Sequence, residues 1–392
     1  MAAQATAALS SFVLQLGAAR NLGASRYGTF TILLAALVLL AALHGGLVGD
    51  TRTVLDRTAP HLRGPLAVTS TVFAATSFAV GGLGSWSFGL LDAAPAAGFG
   101  LLAAFWVLED GGRRIFMARL EFWRLVANDL SYAAGTVVVL GILASGGHTL
   151  SLADFLLSMG CGALTAVLVA RVQLPREELA HGAVTAAGLR EVATFGSWRA
   201  AQAGIRPLAT LVLRALVRVL ASSSALGRLE VARLAVAPAL ILANGVGSFL
   251  LPYHATRRRS TGTDPVPSPG PVAVLVALTL AYGAVVTVLA PRLADVATGG
   301  RVTVDAAAVA GWSIFAAAVA AGIPAGTAVL ARGRSSLVFR LRAVDSVVGL
   351  VVAIALTVIS ASLAPWGLAV GAVVGGALLW SEVRASPRGA HR

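Results

Sequence analysis

Twenty consecutive residues, Thr29 to Val48, contain a single strongly polar side chain, His44. A run of that length matches the hydrocarbon thickness of a bilayer, which about 20 helical residues span. No water is available there to satisfy backbone amides and carbonyls, so the run must be helical. Asn21, Gly23 and Ser25 interrupt the apolar stretch before it and predict a tight turn. Tyr27 follows where an interfacial aromatic would anchor the span.

The rest of the chain repeats this pattern. Apolar runs predict helices at about 2–20, 28–49, 64–86, 94–112, 126–146, 151–173, 196–219, 227–251, 271–291, 304–330, 338–360 and 363–382. With 57% hydrophobic and 12% charged residues, the 392-residue chain reads as an all-α polytopic membrane protein. The alternating segments of a β-barrel are absent from the sequence. All 30 basic residues are arginine, so the net charge of +13 must lie in loops or in a hydrated cavity. The single Cys161 excludes a disulfide framework and a thiolate metal site. The first apolar run lacks the basic start and the cleavage site of a signal peptide, so it is kept as a helix.

Placing both termini in the cytoplasm puts most of the arginines on the inner side, and the loops near Asp92, His148 and Ser362 carry none. A polar stretch at 175–191 then divides the helices six and six. The expected organisation is an N-terminal lobe over 1–174, a cytoplasmic connector over 175–191, a C-terminal lobe over 192–383 and a tail over 384–392. Within the second lobe, 257–271 is rich in Arg, Pro, Ser and Gly and reads as a disordered cytoplasmic loop. A shift of 199 residues lays Gly28 on Gly227 and Gly46 on Gly245, the trace of a duplicated half.

The seventh helix carries the most informative chemistry. At about 100° per residue, Arg199, Arg206, Arg214 and Arg218 share one sector of it with Gln202 beside them. An Arg deep in a membrane helix costs about 2.5 to 3.5 kcal/mol on insertion scales, which favours a water-lined face; snorkelling or pairing with acids is the other reading. Pro207 removes a backbone donor and predicts a kink, hence a candidate hinge. Arg233 either extends the cationic face or pairs with Glu230, three residues earlier. Gln15 and Ser11 share a side of the first helix with Gln4, and polar faces belong against protein or water. The candidate substrate site is therefore Arg206, Arg214, Arg233, Gln202, Gln15 and Ser11.

Eleven acids lie at cytoplasmic ends or loops on this topology, Glu109, Asp110 and Asp129 among them, with Asp345 about one turn inside the eleventh helix. His44 reads as an interfacial hydrogen-bonding residue or a proton switch. No metalloprotease, nucleophile-elbow, dithiol or phosphate-loop motif is present in the sequence, so no catalytic residue, metal or cofactor is expected. No nucleic-acid partner is expected either.

One stretch resembles a known family. Leu22-Gly23-Ala24-Ser25-Arg26-Tyr27-Gly28-Thr29-Phe30 has the form LGxxxYGxF, and the helix after it closes in HGGLVGD. Together with SSSALGRLEVARLAVAPALILANGVGSFLLP at 222–252, these are similar to the polysaccharide-biosynthesis flippases of the MOP exporter superfamily. Leu229 stands where that family usually has an aromatic residue, and the family often runs to fourteen helices. The resemblance implies a two-lobed MOP/MATE-like fold and a polyprenyl-pyrophosphate-linked oligosaccharide carried across the cytoplasmic membrane. It also implies partners among membrane lipids, polysaccharide polymerases and glycosyltransferases. A coupled MATE antiporter would be expected to place a carboxylate mid-membrane in the first lobe. A major facilitator would be expected to carry more of its second-to-third loop pattern than Asp56-Arg57 and Arg63.

Overall fold

The computed structural model describes residues 2–54, 59–147, 149–179, 182–261 and 265–385. Its elements are α1 (Ala2–His44), a π-helical turn (Gly45–Gly49), α2 (Asp50–Val54), α3 (Pro60–Ser87), α4 (Ala93–Ala118), α5 (Phe122–Ser145) and α6 (Leu152–Gln173). There follow α7 (Arg176–Leu179), α8 (Ala186–Leu220), α9 (Ser223–Thr261), α10 (Pro269–Thr298), α11 (Ala306–Ala331), α12 (Ser335–Ile359), a 3-10 turn (Ala361–Leu363) and α13 (Ala364–Ala385). Among the described residues ten helices are long and apolar enough to cross a membrane. The first of these, over Ala8–Arg52, is 45 residues long, enough for two spans, and α8, which carries several arginines and Gln202, is not among the ten. The twelve expected helices are thereby all present.

Their ends differ from the sequence reading in instructive ways. The expected tight turn is a one-residue break: Gly23 has φ 69°, ψ 170°, and helix runs on both sides of it. That region of backbone space is open almost only to glycine. Tyr27, expected at the interface, is fully buried. The stretch 257–271, expected as a disordered loop, is helical over 257–261 and again from Pro269. Between the two, Arg332 donates Nη2 to the Pro265 carbonyl at 3.0 Å. Residues 262–264, like Asp56, Arg57, His148 and the tail over 386–392, lie outside the described residues.

The chain forms two compact units, one of Met1–Leu14 with Thr29–Leu211 and one of Gln15–Gly28 with Val212–Arg392. The division thus falls within α1 and within α8, not at the 175–191 connector, whose last residues already belong to α8. In α8 it comes four residues after Pro207, where the helix lacks one backbone donor.

In the first unit α4 packs on α3 and α6, and α6 on α5. Phe30 meets Phe155 edge to face at 6.2 Å. In the second unit α11 is the centre, touching α9, α10 and α13. It is built largely of Ala and Gly, which lets neighbouring backbones approach closely. Trp366 and Trp380 of α13 donate Nε1 to the carbonyls of Ala307 and Ala321, so α13 runs alongside α11 in the same direction for four turns. By contrast α10 is buried over only 17% of its span, as a lipid-facing helix would be.

Candidate functional site

The second unit holds a charge cluster at the head of the α8–α9 hairpin. The short link between the two helices sets Arg214 of α8 beside Glu230 of α9. Arg214 donates Nε to Glu230 Oε1 and Nη2 to Oε2, each at 2.8 Å. This two-pronged geometry is specific to guanidinium. Arg233, one turn along α9, donates Nε to the same Oε2 at 2.7 Å and Nη2 to Gln15 Oε1 at 2.7 Å. Glu230 is 2% exposed, and the Arg233 side chain 20%. Among the described residues, two guanidiniums thus bond one carboxylate in a largely buried setting, where attraction for an anion is strong.

Segment 15–28 of α1 lies against α9 beyond this cluster. A Cβ on Gly28 would meet the Ser223 carbonyl, and one on Gly227 the Ala24 carbonyl. The contact is reciprocal, because the 199-residue shift carries Ala24 and Gly28 onto Ser223 and Gly227. Each helix presents a small residue four positions before its glycine, the arrangement that lets membrane helices touch backbone to backbone. Gly46 and Gly245, the other pair in register, do not share a setting: Gly46 abuts the backbone of Ala200, and Gly245 faces open space.

The first unit carries a larger network of opposite balance. Arg199 of α8 donates Nε and Nη2 to Asp50 Oδ2, at 3.0 and 2.6 Å, and Nη1 to Gln202 Oε1 at 2.9 Å. Arg114 of α4 donates Nε to Asp110 at 3.0 Å and lies 3.7 Å from Asp50. Its guanidinium occupies the space that a side chain on Gly45 would fill. His44 is buried, with Nε2 3.0 Å from Ser70 Oγ and Nδ1 3.7 Å from Asp110. It is therefore a core histidine rather than an interfacial one. Nearby, Arg113 bridges Asp129 at 2.8 Å and Glu109 at 3.6 Å, and Asn128 donates to Glu109 at 3.4 Å.

The sequence reading placed Glu109 and Asp110 at the end of a helix closing at 112. Since α4 continues to Ala118, both are buried about two turns inside it. The Glu109, Asp129 and Arg113 grouping, with two acids on one cation, is a functional candidate the sequence reading missed. The signal was available in the i,i+4 spacing of Glu109 and Arg113.

The expected cationic face of α8 resolves into different settings. Arg199 and Arg214 are ion-paired, in the first and second units respectively. Pairing with acids, the other reading of this face, holds for Arg214, since Glu230 takes it as well as Arg233. Arg206 is exposed, and Gln202 is half-buried on Arg199. Of the first-helix residues, Gln15 joins the Glu230 cluster and Ser11 is exposed in the first unit. Around Pro207 the helix is continuous.

No family model matches this sequence, and neither does any curated protein. Solved structures do. An inward-facing multidrug resistance MATE family transporter of the MOP superfamily matches with TM-score 0.71 and 13% identity over 95% of this chain and 93% of that one. The outward-facing conformation of such a transporter matches with TM-score 0.65 and 13% identity over 98% and 95%. A MOP superfamily transporter from Pyrococcus furiosus, described as having a binding pocket of reverse polarity, matches with TM-score 0.63 and 12% identity over 98% and 93%. The chain is a multi-pass membrane protein with the MOP/MATE transporter fold along nearly its whole length.

Proposed function

We propose that the protein is an exporter of the cytoplasmic membrane that carries a polyprenyl-pyrophosphate-linked saccharide by alternating access. The observation that carries the reading is the Glu230 cluster. One carboxylate cannot neutralise Arg214 and Arg233 together, and a pyrophosphate offers several oxygens in the geometry guanidinium prefers. In the first unit, exposed Arg206 and Ser11 and half-buried Gln202 are the remaining candidate residues, and Pro207 is a candidate hinge in α8. The polyprenyl tail stays in lipid. Polymerases and glycosyltransferases are the enzymes that would consume and supply such a substrate.

The test is transfer of a radiolabelled polyprenyl-pyrophosphate saccharide in proteoliposomes, normalised to inserted protein. Arg206→Ala and Arg214→Ala should each abolish it, and Lys at either place should restore only part. Full activity of the double alanine variant overturns the reading.

A second reading, a MATE-type exporter of small organic cations, is favoured by one observation. The two buried carboxylates on Arg113 give the first unit a negative site of the kind suited to a coupling proton or cation. It expects gradient-driven efflux of a cationic dye that Glu109→Gln stops while Arg206→Ala leaves it intact.

A further inference from the structure

Six arginines outside the candidate substrate site lie at one end of the second unit. Arg20 and Arg26 stand on either side of the Gly23 break in α1, Arg218 near the end of α8, Arg228 near the start of α9, Arg292 in the last turns of α10 and Arg301 in the link to α11. Contacts join these elements: Gly28 abuts the Ser223 carbonyl, Gly227 the Ala24 carbonyl, and Arg301 donates Nη1 to the Asn21 carbonyl at 3.0 Å. We propose that this end of the unit binds the phosphate headgroups of anionic phospholipids in the leaflet it faces. The inference uses no residue of the candidate substrate site, so it stands or falls apart from that reading.

Three observations support it. First, the charge is lopsided. Outside the Glu230 cluster, the acids among the described residues here are Asp295 and Asp305, and Asp305 caps α11 by accepting from the Ala307 amide at 2.9 Å. Arg20, Arg26, Arg228 and Arg292 are exposed, and among the described residues they make no ion pair. The link from α12 to α13 lies beside the start of α11, where Trp366 bonds the Ala307 carbonyl, and it carries no charge at all. The cationic surface is thus confined to the side formed by α1, the α8–α9 hairpin and the α10–α11 link.

Second, the position is one that membrane proteins tend to keep poor in arginine. On the topology read from the sequence this end faces outward, whereas basic residues favour cytoplasmic loops. Third, the cations border apolar surface of the kind lipid covers. Val219, next to Arg218, and Val296, one turn after Arg292, are each 78% exposed, and α10 is buried over only 17% of its span. Arginines at the end of such a surface meet the headgroup layer, whose phosphate oxygens accept well from guanidinium. The apolar border favours a lipid over a soluble acidic protein.

The test sets a reporter in this surface. Ala221, exposed between α8 and α9, is replaced by Cys after Cys161→Ser and labelled with a fluorophore in the full-length protein. The protein is reconstituted in phosphatidylcholine vesicles doped with equal small fractions of doxyl-labelled phosphatidylglycerol or doxyl-labelled phosphatidylcholine, and quenching is compared. Phosphatidylglycerol should quench as if enriched about tenfold at the reporter, and salt at about 1 M should remove most of the difference. Arg20→Gln/Arg26→Gln/Arg228→Gln should bring the two lipids level. Lys at the same three positions should keep most of the preference, because a headgroup layer responds to charge more than to the guanidinium fork. Arg340→Gln, near the opposite end of the unit in α12, should change nothing. Equal quenching by the two lipids in the reporter protein overturns the proposal, as does a preference that survives the triple glutamine variant. Should that variant fail to insert, a preference indifferent to salt or lost in the lysine variant overturns it instead. Abolition of the preference by millimolar inorganic phosphate would assign the surface to a soluble anion and overturn the lipid.

Discussion

The two units bury charge of opposite balance. Around Glu230 two guanidiniums share one carboxylate, whereas around Arg113 two carboxylates share one guanidinium. The difference in wiring follows from the elements involved. In the second unit a hairpin brings cations from α8 and α9 onto one acid. In the first, Arg113 and Glu109 are one turn apart on α4, and Asp129 comes from α5. Each cluster therefore depends on its minority member, which sits between two like charges and holds both in place. Removing that member strands two charges; removing a majority member leaves a complete pair.

The largest expected effect follows directly. Glu230→Ala leaves Arg214 and Arg233 facing each other in a nearly dry setting, and breaking such a pair costs about 3 to 5 kcal/mol. Loss of abundance and a thermal midpoint lowered well beyond that of Arg214→Ala would be the sign. Equal destabilisation by the two variants would break the minority-member argument.

The first unit supplies the mirror test with a smaller effect. Arg113→Ala sets Glu109 and Asp129 free of their cation, but a carboxylate can take up a proton where a guanidinium cannot give one away. The cost should fall to about 2 kcal/mol, in the range for a buried polar group left without its partner. Glu109→Gln should be nearly neutral, because Asp129 still holds Arg113. Thermal unfolding of both variants in the same detergent compares them.

What the sequence made legible was decided by range. Helix number and class follow from runs of about 20 residues, each of which must satisfy its own backbone, so α3 to α6 and α10 to α13 were readable locally. The Arg233 and Glu230 pair was legible as well, because i,i+3 neighbours on a helix must touch. Arg214 on Glu230, Gln15 on Arg233 and Arg199 on Asp50 are tertiary, and a helical wheel reports a face without saying what packs on it. That is why the arginines of one expected stripe on α8 lie in different settings, Arg199 on Asp50 and Arg214 on Glu230. Tyr27 misled for a similar reason: an aromatic after a break suits an interface by pattern, whereas its burial depends on the helices around it.

The glycines in register sharpen the comparison further. A Cβ on Gly227 meets the Ala24 backbone, which cannot give way as a flexible side chain can, so Gly227→Ala should cost about 1 to 3 kcal/mol by overpacking. Gly245 faces open space, and alanine there should stabilise by up to about 1 kcal/mol through helix propensity. Opposite signs in paired unfolding measurements would show that Gly227 is a packing contact and Gly245 is not. Matching signs would break that distinction.

The smallest effect sets an exposed cluster against the buried ones. In the turn between α4 and α5, Glu121 accepts from Arg119 at 3.0 Å and from Arg124 at 2.9 Å. Desolvation works to raise the carboxyl, but the two bonded guanidiniums outweigh it and hold Glu121 below the usual glutamate range. A depressed carboxylate stabilises the folded state above its unfolded value, near 4.3, and that contribution is lost as pH falls through the lower folded value. Because these side chains are a quarter or more exposed, the gain is about 0.5 kcal/mol and shrinks with added salt. The thermal midpoint of the native protein should therefore exceed that of Glu121→Gln by a small, constant margin from pH 7 to 5. The margin should close between pH 4 and 3, and one that widened on acidification would mean the carboxyl is raised instead.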